Sequence, residues 1–195
     1  MSRRGEGSVA RILLATIALA AALPAAGQQG GDAQGFVKAI SPGEHHAHFK
    51  KMVGKWNAAV RSWPVPGGEP TEVSGATEYE LVLGGRYLQQ KMTAQMMGMP
   101  YEGLGLSGYD NTAGKHTLLW VDSMSTWMTY GEGDCSDDHK TQTIRAEVKN
   151  PMGGPTMRAK LVTRIESDDK HVFEYYIVGD DGSETKVLEV VYTRA

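Results

Sequence analysis

The chain has 195 residues with a formal net charge of −3, 41% hydrophobic residues and a single cysteine, Cys135. One cysteine excludes an intrachain disulfide, and the absence of a basic stripe argues against nucleic acid as a partner. The length suits one domain with a real apolar core.

The first residues read as an export signal. Arg3, Arg4 and Arg11 precede an apolar, alanine-rich run from Ile12 to Leu23 that is too short for a comfortable membrane span. The segment Pro24-Ala25-Ala26-Gly27 then supplies small residues for a cut near Gln28. The predicted organisation is a signal peptide over 1–27, a flexible leader over 28–40 and one domain over 41–195. Removing 1–27 takes away three Arg and one Glu, leaving 17 basic against 22 acidic side chains. The expectation is an exported protein, periplasmic or secreted, with no membrane partner once the signal is cut.

At Ser41 the pattern becomes helical. Ser41 is placed at the N-cap, Pro42 at the first helical position and Glu44 at the third, with a stop at Gly54. His45, His48, Phe49, Met52 and Val53 share one face of this short helix. Downstream the period changes to two, with turn residues at regular intervals. Ten strands are predicted, at 55–63, 71–83, 86–96, 101–109, 115–122, 127–133, 141–149, 157–165, 171–179 and 185–193. An open sheet of that width would leave two sticky edges. The fold class read from this pattern is all-β, a closed antiparallel up-and-down barrel with the helix capping one end. Such a barrel has room for one small ligand. Trp56, at the start of the first strand, is expected to plug the capped end.

Several motifs invite chemical readings. Gly103 to Gly108 match G-x-G-x-x-G but lie inside a predicted strand, where small residues mark a bend or a close backbone approach. His45 and His48 are one turn apart and able to meet a metal; with no second pair at ligand spacing, the reading is a half-buried helix face, and no metal or cofactor is assigned. Met92, Met96, Met97 and Met99, with Met124 and Met128, offer thioethers of the kind that suit Cu(I), against a plainer reading as adaptable filling at a barrel rim. Cys135 lies near Asp134, Asp137 and Asp138, which disfavours a thiolate. Tyr192 and Arg194 share a face, and Arg194 is read as a cation–π cap over Trp56 rather than a ligand clamp.

Gly54-Lys55-Trp56, with a basic residue closing the final strand, resembles the lipocalin-like (calycin) barrels. More specifically, Glu44-His45, Leu83-Gly84-Gly85-Arg86-Tyr87, Tyr109-Asp110-Asn111, Trp120-Val121-Asp122-Ser123 and Tyr192-Thr193-Arg194 appear in an order similar to the bacterial family catalogued as domain of unknown function 1579. That resemblance implies a fold and no activity; calycin barrels as a group mostly bind small apolar molecules.

The expected function is binding of a small, largely apolar ligand. Tyr79, Arg86, Tyr109, Trp120, Asp122, Glu174 and Tyr192 are the candidate wall or mouth residues, and Trp56 and Arg194 are structural. Glu174 and Asp122 sit among apolar neighbours and so must be paired, neutral or functional, with Arg86 as the expected partner. Two alternatives stand beside this reading. One is a hydrolase or isomerase using Asp122 or Glu174 as base and His116 or a tyrosine as acid. The other is soft-metal binding by the methionines and the helix histidines.

Overall fold

The computed structural model describes residues 29–65 and 67–195; the predicted signal at 1–27 lies outside the described residues. Two helices, α1 (Gln29–Ile40) and α2 (Glu44–Ala47), precede a 3₁₀ turn at His48–Lys51. Ten strands follow: β1 (Gly54–Ser62), β2 (Thr71–Val82), β3 (Tyr87–Met96), β4 (Met99–Asp110), β5 (Lys115–Asp122), β6 (Thr129–Cys135), β7 (Thr141–Val148), β8 (Met157–Ser167), β9 (Lys170–Val178) and β10 (Glu184–Arg194). Every strand end lies within two residues of its predicted bound. No described helix is long and apolar enough to cross a membrane.

Each strand pairs antiparallel with its neighbour in sequence, and β1 pairs with β10 to close the barrel. Alternation decides which side chains face inward. Trp56, Ala58 and Val60 are buried from β1, while Lys55, Asn57 and Ala59 are exposed. Register carries this around the closure: Val60 lies opposite Val190, Ala58 opposite Tyr192 and Trp56 opposite Arg194. Turns are tight where the chain permits it. Met97 (φ 54°) and Gly98 (φ 77°) form a two-residue connection between β3 and β4, with both residues at the positive φ such a hairpin demands.

The helical end differs from its prediction in two ways. The segment expected as a flexible leader contains α1. The N-cap of α2 is Gly43, not Ser41. Ser41 precedes Pro42, which disfavours helical backbone there, so the helix begins later. The Gly43 N–H donates to Nδ1 of His46 at 3.0 Å, so His46 supplies the reach-back arm that Glu44 was expected to give. The carbonyls ending α1 are capped from the barrel: Asn111 Nδ2 donates to Lys38 and Ala39, and to Ser41 just beyond, and Arg86 donates to Ile40 at 2.8 Å. A cation at a helix C-terminus also suits the helix dipole.

The 3₁₀ turn lays Phe49 and Met52 over the barrel end. Trp56 sits beneath, and its indole N–H donates to the Met52 carbonyl at 2.7 Å. Arg194 lies over the Trp56 ring at 4.1 Å, the cap expected from the sequence.

Candidate functional site

Inside the barrel is a cavity of about 510 Å³. It is stoppered at the α2 end by Phe49 and Met52 and extends to the opposite rim, where Met96, Trp127, Lys149 and Pro151 line it. The walls are mainly apolar. Leu88 and Met92 come from β3, Ile144 from β7, Leu161 from β8 and Phe173 from β9. Strand alternation puts them there; the intervening residues Lys91, Arg145 and Lys160 point outward.

The stoppered end carries a compact polar group. Gln90 Nε2 donates to the Tyr192 hydroxyl at 3.1 Å, and the Tyr79 hydroxyl lies 3.3 Å from Nε2 of His171. The His171 ring stacks on Tyr192 at 4.4 Å and meets Trp56 edge-on at 4.5 Å. Burial, then the nearby Arg194 charge, pushes His171 down to about 3, so its imidazole is neutral at ordinary pH. Burial raises the Tyr79 hydroxyl well above its usual range and pushes Tyr192 up to about 12. Both phenols keep their protons and serve as hydrogen-bond donors, not bases.

Nearer the rim, Trp120 lies flat across β4. A side-chain carbon at Gly103 would stand 2.2 Å from the Trp120 ring, and one at Gly105 2.9 Å. These two glycines therefore make room for an aromatic ring, where the sequence reading expected a bend or a passing backbone. The indole N–H donates to Asp122 at 3.2 Å, and the other Asp122 oxygen accepts the Met124 N–H at 2.9 Å. Tyr101 completes this patch, its hydroxyl raised in pKa by burial and by the Asp122 charge.

Of the seven residues expected at the ligand site, Tyr79, Trp120, Asp122 and Tyr192 line the cavity. The other three do not. Glu174 faces outward, because Phe173 and Tyr175 take the inward positions of β9. It is nonetheless buried, held between Arg164 and Lys186 from the flanking strands, and Lys186 also reaches Glu189 at 2.8 Å. Arg86 sits outside the stoppered end after the Gly84-Gly85 turn and is spent on the carbonyls of Leu83 and Ile40, so it partners neither carboxylate. Tyr109 points inward at the last turn of β4, beyond the stopper, where it stacks on His45 at 3.9 Å.

The carboxylate–imidazole pair is likewise not assembled. His116 and Asp122 stand at opposite ends of β5, six residues and therefore roughly 20 Å apart. His116 packs against His45, Tyr109 and Phe49. The methionines and helix histidines are also separated by the length of the barrel. Met96 to Met99 and Met124 to Met128 belong to rim hairpins at the open end and Met92 lies partway along β3, so these methionines do not share a site with the helix histidines. Burial raises the Cys135 thiol, with Asp138 adding to it. Gln90 and His171, absent from the expected set, are central to the polar group. Alternation along β9 puts His171 on the same face as Phe173 and Tyr175, and the pairing of β9 with β10 sets it opposite Tyr192.

Comparisons place this geometry among known folds. A crystal structure of Rv2717c from M. tuberculosis matches with a TM-score of 0.56 at 13% identity, covering 80% of this chain and 99% of that one. The S-type phycobiliprotein lyase CPES from Guillardia theta matches with a TM-score of 0.52 at 9% identity, covering 82% and 96%. Both likenesses show the barrel fold. No curated protein sequence matches the chain. Residues 41–194, the whole barrel with its helical stopper, match the family described as "Protein of unknown function (DUF1579)", and the chain belongs to that family.

Proposed function

We propose that the protein binds one small, largely apolar molecule inside the barrel, entering at the rim opposite α2. The observation that carries this is the cavity of about 510 Å³, apolar along its walls and polar at its stoppered end. Its size falls within the usual range of small-molecule sites, and apolar walls with a few placed polar groups are how such sites combine affinity with orientation. The ligand lays its apolar body along Leu88, Met92, Ile144 and Leu161. It meets Gln90, Tyr79 and His171 with a hydrogen-bonding end, or Asp122 and Trp120 nearer the rim. The shared barrel of a phycobiliprotein lyase supports a small-molecule role at the level of fold. The same reading takes residues 1–27 as an export signal, so binding happens outside the cytoplasm.

Native mass spectrometry of protein purified from its own host tests the reading. The expected spectrum shows a retained mass that is lost on denaturation, and the stripped protein should take up an apolar fluorescent probe with one-to-one stoichiometry. Failure to take up any apolar probe, by protein shown to be folded, would overturn it. N-terminal sequencing of the exported protein tests the cut near Gln28.

A further inference from the structure

Four of the six histidines meet just outside the stopper, together with Glu44, away from the ligand cavity. Glu44 and His48 are four residues apart, on α2 and the turn that follows it. His139 comes from the β6–β7 hairpin, 91 positions beyond His48 in the sequence. One ligand atom from each of Glu44, His48 and His139 lies within 4.8 Å of the others. The rings of His48 and His139 are parallel at 3.6 Å, and the His45 ring stands edge-on to His139 at 5.1 Å. His116, nearly inaccessible to solvent, is edge-on to His45 at 5.5 Å.

We propose that Glu44, His48 and His139 bind a divalent transition-metal ion that fastens the helical stopper to the β6–β7 hairpin. Three observations converge on it. The first is the meeting of the three donors. Bonds of about 2.0–2.2 Å from nitrogen and oxygen to a metal such as zinc set ligand separations of about 3–4 Å, so closing the site needs the three atoms to draw in from within 4.8 Å and one of the two parallel imidazoles to turn until both lone pairs meet at the ion.

The second is a set of buried imidazole nitrogens with no partner: Nδ1 of His45, Nδ1 of His139 and both nitrogens of His116. Buried polar atoms are nearly always paired, and a concentration of orphans at one spot marks a missing partner. Each neutral imidazole carries one lone pair and one N–H, so the ion would take up the lone pair of His139, while His45 and His116 border the site without ligating.

The third is that the hairpin is braced around His139. The His139 N–H donates to the Ser136 carbonyl at 2.8 Å, the Ser136 hydroxyl pairs with Asp138, and the Thr141 N–H donates to the Ser136 hydroxyl at 3.0 Å. The result holds His139 at a positive φ of 53°, unusual for a residue with a side chain, and aims its ring back at α2. Among the described residues no hydrogen bond joins the stopper to this hairpin, so the ion would supply the link.

Two imidazoles and one carboxylate are borderline donors. They favour Zn²⁺, Fe²⁺, Co²⁺ or Ni²⁺ over Mg²⁺ or Ca²⁺, which prefer oxygen throughout. Glu44 is exposed, so the ion enters directly from solvent and not through the ligand cavity. His45, fixed by its stack on Tyr109, backs the site from inside.

Calorimetric titration with Zn²⁺, and visible absorption with Co²⁺, test this on untagged full-length protein freed of metal by chelation. The expected result is one equivalent bound with micromolar affinity or better, and a rise in melting temperature. Mg²⁺ should not compete. His139→Asn tolerates the positive φ, and Glu44→Gln changes only an exposed group; each should weaken binding at least tenfold while uptake of an apolar probe stays unchanged. Should His139→Asn fail to fold, Glu44→Gln carries the same comparison. No stoichiometric binding, or binding retained at full strength in either folded variant, overturns the proposal.

Discussion

The Arg194 guanidinium lies 4.1 Å over the Trp56 ring while its nitrogens donate to the carbonyls of Lys51, Val53 and Asp168. One side chain, next to the last residue, therefore ties together the stopper, the first strand and the β8–β9 turn. Arg194→Lys keeps the charge but loses the planar fork, and should cost about 1–2 kcal/mol. Arg194→Ala should cost roughly 2–3 kcal/mol. Trp56→Ala removes a fully buried ring and should cost roughly 3–5 kcal/mol. The double variant should lose less than the sum of the singles, since each removes the other's partner. Urea unfolding of the four variants beside the wild type measures all of this.

Gly103→Ala should force the Trp120 ring off β4, because the added carbon would meet it at 2.2 Å. The expected loss is roughly 1–3 kcal/mol, the range for overpacking a filled interior. Near-ultraviolet circular dichroism should change with it. In a Trp120→Val background the same substitution should cost less than half as much; an equal penalty in both backgrounds would mean that the ring is not what Gly103 accommodates.

Acid should weaken the fold through His171. Its pKa is about 3 when folded, against an ordinary value of 6.5. Between those values the unfolded chain takes up a proton that the folded chain refuses. The stability it contributes is complete above pH 6.5 and drains away as the pH falls toward 3. Arg194 reinforces this, and Tyr79, Tyr192 and Trp56, which surround the ring, supply no anion to offset it. Between pH 7.5 and 4.5 the wild type should lose roughly 2–3 kcal/mol more than His171→Phe, read from paired urea titrations.

Glu174→Ala should leave Arg164 and Lys186 facing each other on the outer wall. Removing one partner of a buried ion pair costs roughly 3–5 kcal/mol; the exposure of both cations here brings the loss below that range, to about 2–3 kcal/mol. Binding of an apolar probe should be unchanged, because the carboxylate lies outside the cavity. A loss of probe affinity in the folded variant would return Glu174 to the interior.

The barrel was legible because its strands alternate and its turns are built from residues with few other uses. Trp56 and Arg194 could be paired from the sequence, since a first strand and a last strand must meet if the sheet closes. The site was harder. Alternation along β9 separates Glu174 from Phe173 but does not say which of the two faces inward. A buried carboxylate among apolar neighbours looks the same from either side until Arg164 and Lys186 are seen on the adjoining strands. Tyr109 failed for a different reason. It does face inward, but depth along the barrel depends on where the stopper sits, and the end of β4 brings Tyr109 against His45 of α2 and not into the cavity. His171 was missed because its significance lies in register, opposite Tyr192, and register is a property of two strands.

Nine of the ten strand pairings join neighbours in the chain and form as local hairpins. The tenth, β1 with β10, must gather ends more than a hundred residues apart, at the largest loop-closure entropy in the fold. During synthesis the first strand, with its stopper and Trp56, waits unpaired on one side until the final residues arrive. The contact that Arg194 makes is then the latch fastened after the rest of the barrel is in place, and a chain cut before β10 would be left a curled ribbon with two raw margins in place of a vessel.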